Sequence, residues 1–308
     1  MAASATRPAG ARQGILRLLV GYAAILGTVP YLVLKISWVT GGTLGLTDPE
    51  LVDTPTMYAA NLFTGGMDAV AILLALAWTH SWGLRVPAPP LLFPIWVGTG
   101  FLAPIAIAGP FIGTEFVLGA PTMDGLAGWV TPLVYGSFAW QGCTLLTAFV
   151  LYARVRWAWL FTARAVGGPL TAPGVVGVAA GLVTGCLHLA WALGLPTGEP
   201  GGRGLAAHAL DAVQGLLTFG AVGAILLLAA GGHRVRLPMV LAWTGSAVMF
   251  AWGFWGVAGT GALTGGLPEL ADLALPLLVY AAQCLAGALL GFALVRRLAL
   301  LPEPAAAP

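Results

Sequence analysis

The chain has 308 residues, of which 59% are hydrophobic and 8% charged, with a mean hydropathy of +0.92 and a formal net charge of +2. A soluble domain carries about a quarter charged residues, so this chain lacks the polar surface needed to face water. It reads as an integral membrane protein with the lipid bilayer as its first partner, which excludes a cytosolic enzyme, a secreted scaffold and a nucleic-acid binder.

Apolar windows of spanning length predict eight helices, at about residues 18–39, 57–79, 91–113, 129–153, 173–194, 205–230, 239–261 and 273–295. The first follows a basic stretch, Arg7, Arg12 and Arg17, but runs on to Trp38 without a small-residue cleavage site, so it reads as a retained span and not a signal peptide. The connections alternate in charge. Eleven of the 13 basic residues, including Arg85, Arg154, Arg156, Arg164, Arg234, Arg236, Arg296 and Arg297, fall at the termini and after the even-numbered spans. Asp48, Glu50, Asp53, Glu115, Asp124, Glu199, Glu269 and Asp272 fall after the odd-numbered spans, where Arg203 is the single basic residue. The positive-inside rule then puts both termini in the cytoplasm of a multi-pass plasma-membrane protein. Trp38, Trp82, Trp157 and Trp159 stand at span ends and predict an interfacial belt. Cys143, Cys186 and Cys284 are isolated within apolar runs and imply no disulfide framework.

The two halves resemble each other. At a separation of 153 residues, Lys35-x-x-Trp38 matches His188-x-x-Trp191, and Ala71-Ile72-Leu73-Leu74 matches Ala224-Ile225-Leu226-Leu227. Trp96-x-Gly98 then matches Trp243-x-Gly245 at 147, and Gln141 matches Gln283 at 142. The expected architecture is all-α: a bundle of two tandem four-span units, residues 1–160 and 161–308, in parallel orientation. Gly177, Gly181 and Gly185, and Gly287 with Gly291, recur at helical spacing and predict close helix approach. Pro30, Pro94, Pro104, Pro110, Pro132 and Pro276 fall within or at the ends of spans, where neighbours must satisfy the carbonyls they free.

Ionisable groups in hydrocarbon are costly and mark function by default. The candidates for a ligand site are Asp68, Asp211, Lys35, His188, His208, Asn61, Gln214, Gln141 and Gln283. Asp68 lies near the middle of the second span, and Lys35 and His188 near the outer ends of the first and fifth. His208, Asp211 and Gln214 adjoin on one helix face. Together they predict a polar pocket in the outer half of the bundle, although each also has a packing role open to it: lysine snorkelling, an Asp211 pair with His208 or His188, or glutamines as interhelical glue. Asp68 is expected to meet water or a contact such as Gln141, with Lys35 acting at longer range. On that expectation a purely structural Asp68 tolerates replacement by Leu.

No nucleophile motif and no zinc-binding His-Glu-x-x-His occurs, so no catalytic residue, metal site or cofactor is assigned. His188 and His208 fall in the outer halves of adjacent spans, but Lys35 replaces His188 across the repeat, which argues against paired haem ligands. The segment Tyr31-Leu-Val-Leu-Lys35-Ile-Ser-Trp38-Val-Thr-Gly41-Gly42-Thr-Leu-Gly45-Leu46 resembles the first-span signature of multi-span membrane proteins of high-GC bacteria, some of which carry an aromatic ring-opening dioxygenase label. The resemblance implies a membrane location and no activity, because that chemistry needs His and Glu metal ligands in an aqueous domain. Three functions remain open: a small-ligand or proton-coupled carrier, a non-enzymatic subunit with a membrane-protein partner, and a redox protein binding haem or quinone.

Overall fold

The structure, a computed structural model, describes residues 9–119, 124–195, 203–262 and 270–302. Eight long helices account for most of it: α1 Ala9–Val39, α2 Pro55–Thr79, α3 Ala88–Val117, α4 Val130–Arg156, α5 Ala172–Ala192, α6 Leu205–Ala230, α7 Arg236–Ala262 and α8 Leu270–Ala299. Each contains a stretch long and apolar enough to cross a membrane. The fold is therefore all-α, and among the described residues β-structure is limited to the isolated bridges Leu46 to Leu126 and Arg164 to Arg234. Several helices overrun their apolar windows, because backbone hydrogen bonding continues until a cap or proline stops it. The start of α2 is one such stop, where the Thr54 side chain accepts from the Met57 amide and Pro55 occupies the first turn.

Within the first half, α1 packs on α2 and α4, and α3 on α4; in the second, α5 packs on α6 and α8, and α7 on α6 and α8. The halves meet where α3 lies against α7 and α6. Indole N–H groups stitch that seam. Trp96 Nε1 donates to Ser246 Oγ at 3.1 Å, and Trp243 Nε1 donates to Thr99 Oγ1 at 3.2 Å. In each bond the acceptor stands three residues after the tryptophan of its own helix, so the pair is reciprocal.

Pro104 has no N–H to give the Gly100 carbonyl one turn back, and Trp252 Nε1 from α7 supplies a bond at 3.1 Å instead. We expect Trp252→Phe, which keeps an aromatic ring but removes the donor and part of the indole bulk, to lower stability by about 1–3 kcal/mol in detergent unfolding. An unchanged unfolding midpoint would show that the carbonyl needs no partner there.

The glycine ridges bring helices together. Gly177 faces Leu289 and Leu290 of α8, Gly185 faces Thr218 and Phe219 of α6, and Gly287 meets the backbone of α7 at Ser246 and Phe250.

Arginines at the basic end bond backbone carbonyls of a helix end and of the connections. Arg17 bonds the Trp78 carbonyl, Arg156 that of Gly83, Arg164 that of Gly232, and Arg297 those of Gly168 and Pro169. The Trp78 carbonyl stands in the last turn of α2, where carbonyls lack intrahelical donors and carry partial negative charge; the other arginines tie connections in place.

Trp38 departs from the expected belt. It is 5% exposed, and its Nε1 donates to the Leu44 carbonyl at 2.8 Å. The connection after α1 folds back over the helix end, pairing Thr47 N with the Gly125 carbonyl, and so covers the indole. Trp82, 45% exposed, keeps the character of a boundary residue.

Candidate functional site

The polar candidates do not form one pocket. Lys35 meets Asp68 in the first half and His188, Asp211, Gln214 and Gln283 link up in the second, while Asn61, Gln141 and His208 stand apart.

In the first half, Lys35 Nζ donates to Asp68 Oδ2 at 2.6 Å, with side chains 2% and 6% exposed. The ammonium also lies 3.8 Å from the centroid of the Tyr31 ring, one turn earlier on α1, where the π-face adds electrostatic support. This corrects the expectation that Lys35 acts only at longer range. Lys35 Cδ lies 3.9 Å from the Cβ position of Gly65, so the lysine is level with the Gly65–Asp68 turn. Gly65 is ten residues into α2, roughly 15 Å, while Lys35 is four residues, roughly 6 Å, from the end of α1. The two helix ends are therefore staggered by roughly 9 Å. Counting depth from each end separately exaggerated the gap between the two side chains.

Gln141 does not take part. The adjacent Trp140 bonds the Ala23 carbonyl and packs on Gly27, eight residues, or roughly 12 Å, along α1 from Lys35. Gln141 is 3% exposed and its Nε2 has no partner among the described residues. Asn61 also stays apart, donating to the Met57 carbonyl of its own helix at 2.8 Å.

In the second half the polar groups link up. His188 Nδ1 lies 2.8 Å from Asp211 Oδ1, and His188 Nε2 lies 3.1 Å from Gln283 Oε1. Gln283 Nε2 donates to Gln214 Oε1 at 3.1 Å. His188, Asp211, Gln214 and Gln283 are all buried. The Trp191 ring meets the His188 ring edge-on at 5.0 Å. Of the two histidines open to Asp211, the structure selects His188; His208 Nδ1 bonds the Trp191 carbonyl at 2.9 Å.

Arg203, absent from the sequence-derived set, reaches Asp211 Oδ2 with Nη1 at 2.6 Å. Its signal was available: it is the single basic residue among the acidic connections, eight residues before Asp211. Asp68 and Asp211 stand in the same role, each on the second helix of its half and paired with a basic group from the first. They are 143 residues apart, whereas Lys35 and His188 are 153 apart, so the two carboxylates do not align at the separation that matches their basic partners.

Both pairs are buried among the described residues. A shallow groove between α1 and α4, bordered by Leu26, Pro30, Pro132 and Trp140, contains none of the candidates. Among the described residues no three His, Cys, Asp or Glu side chains gather as metal ligands. Both ring nitrogens of His188 are committed to side chains, so haem ligation there would break a bond. We expect purified protein to lack a Soret band; a stoichiometric band lost in His188→Ala would overturn this.

No protein-family model, curated protein or solved structure matches the chain. Fold and composition define it as a polytopic helical membrane protein with a buried basic–carboxylate pair in each half of its bundle.

Proposed function

We propose that the chain is a proton carrier of the plasma membrane, built from tandem four-helix units, residues 1–160 and 161–308, with both termini cytoplasmic. The observation that carries this reading is the Lys35 to Asp68 pair, buried within lipid-spanning segments. Removing two charges from water costs several kcal/mol per ion, which their attraction only partly offsets, so such pairs are poor stabilisers and good proton exchangers. The second basic–carboxylate pair, His188 with Asp211, supports it too. A proton needs no cavity, which separates this reading from a carrier of larger ligands. The reciprocal bonds of Trp96 and Trp243 across α3 and α7 support the tandem units, since two-fold related surfaces contact each other in that way.

Proteoliposomes containing a pH-sensitive dye test the function. An imposed pH gradient is expected to collapse faster with the wild-type protein than in empty vesicles, and Asp68→Asn with Asp211→Asn is expected to abolish the difference. Equal rates for wild type and the double variant would end the carrier reading.

The closure of both pairs favours a second reading, a non-enzymatic membrane subunit in which they fix helix register. Stoichiometric co-purification with one membrane protein, without proton flux, would support it.

Orientation has its own test. In a cysteine-free background, cysteines at Thr47 and Asp53 are expected to react with an impermeant maleimide from outside, and one at Arg164 only after permeabilisation. Labelling of Arg164 from outside would overturn the orientation.

A further inference from the structure

We infer that His188 is the proton-binding group of the second half and that its charge is reported by the orientation of two glutamine amides, Gln283 on α8 and Gln214 on α6. The inference rests on the reading that these buried pairs take up and release protons, and it adds where the proton sits and what it moves.

The argument is a count of donors and acceptors. Asp211 holds Oδ1 2.8 Å from His188 Nδ1 and Oδ2 2.6 Å from Arg203 Nη1. A carboxylate between two such groups only accepts, so Nδ1 carries hydrogen in either state of the ring. Nε2 is then the variable position. In neutral imidazole it is a bare acceptor and needs a donor; in imidazolium it is a donor and needs an acceptor.

The group opposite Nε2 is an amide, which offers either. In the structure Gln283 turns Oε1 toward Nε2 at 3.1 Å and passes its own N–H to Gln214 Oε1 at 3.1 Å. That arrangement satisfies imidazolium. When the proton leaves Nε2, two N/O lone pairs face each other with no hydrogen between them, which is repulsive in a dry site. Turning the Gln283 amide over restores a bond by giving Nε2 an N–H. It also presents Oε1 to Gln214, whose amide must turn over in the same sense to donate. Protonation of one ring on α5 is thereby coupled to side chains on α6 and α8. Leu or Met at either glutamine position would pack without offering this exchange, and no single-state donor such as an indole would serve both forms.

The other groups around the ring leave the variable proton on Nε2. From α6, Asp211 faces Nδ1 and His208 is turned to the Trp191 carbonyl. Arg203, just ahead of α6, balances the Asp211 charge. Glu115, at the end of α3, packs its carboxylate on Gly204 beside Arg203. On α5 itself the Trp191 ring meets the His188 ring edge-on. On α8 the neighbour of Gln283 is Cys284.

The test uses full-length protein in lipid, labelled with nitrogen-15 at histidine and glutamine side chains and followed by solid-state NMR across about pH 5 to 8, the range in which imidazoles change charge. His188→Gln and Gln283→Leu variants supply the assignments. We expect the His188 Nε2 resonance and the Gln283 side-chain amide resonance to shift together with one midpoint, and the Gln283 shift to vanish in His188→Gln. A His188 transition with a stationary Gln283 amide would overturn the coupling, as would a His188 ring that keeps one charge state throughout. Dye-reported proton flux keeps the two proposals apart. Flux with a stationary amide removes this inference and leaves the carrier; joint titration without flux sustains the inference and removes the carrier.

Discussion

Asp68→Leu is expected to destabilise the folded protein by about 3–5 kcal/mol, and adding Lys35→Met is expected to recover most of that loss. The single substitution strands an ammonium at a site 2% exposed, with only the Tyr31 ring against it. An uncompensated charge there must be neutralised, hydrated or expelled, and each route opens the contact between α1 and α2. The double substitution removes both charges and leaves side chains of similar bulk, for which a buried pair is often replaced at no cost or with a gain. Unfolding of the four proteins in mixed detergent and denaturant gives the coupling energy directly. A tolerated Asp68→Leu, as expected if Lys35 were distant, would show that the 2.6 Å bond contributes nothing. Asp68→Asn separates charge from shape, because the amide can still accept from Lys35 while the negative charge is lost. If proton flux falls in this variant while it remains folded, the charge serves function beyond packing.

Gly287→Leu is expected to cost about 3 kcal/mol or more, while Gly223→Ala is expected to be neutral or to stabilise by up to about 1 kcal/mol. Both glycines lie within helices of similar composition. A Cβ on Gly287 would collide with Phe250 N and meet the Ser246 carbonyl at 2.6 Å, and these are backbone atoms that cannot rotate away. Helices α7 and α8 must then separate along their whole seam, losing the packing that holds α8 in place. A Cβ on Gly223 meets nothing within 4 Å, so only helix propensity changes. Thermal unfolding in detergent decides between these outcomes, and equal midpoints for the two variants would show that close approach at Gly287 is dispensable.

The sequence by itself determined the class, the number of spans and the sorting of charge between the two ends. These are one-dimensional properties: lipid demands about 20 apolar residues per crossing, and that demand is written locally in each segment. It also pointed to the buried lysine, carboxylates, histidine and amides, since such groups in apolar runs stand out by composition, but not to the buried hydroxyls such as Thr99, Thr184, Thr218 and Ser246. Partners were another matter. Lys35 finds Asp68 because the ends of α1 and α2 are staggered, and Trp140 locks α4 two turns from where Gln141 would have reached that pair. His188 rather than His208 meets Asp211 because of how α5 and α6 are rotated about their axes. Trp38 lies buried because the following connection folds over it. Axial stagger, helix rotation and loop path are set by side-chain packing between segments distant in sequence, where differences of one turn decide which atoms touch. No local pattern records them, so the tertiary structure alone decided that the expected single pocket is two separate buried basic–carboxylate pairs.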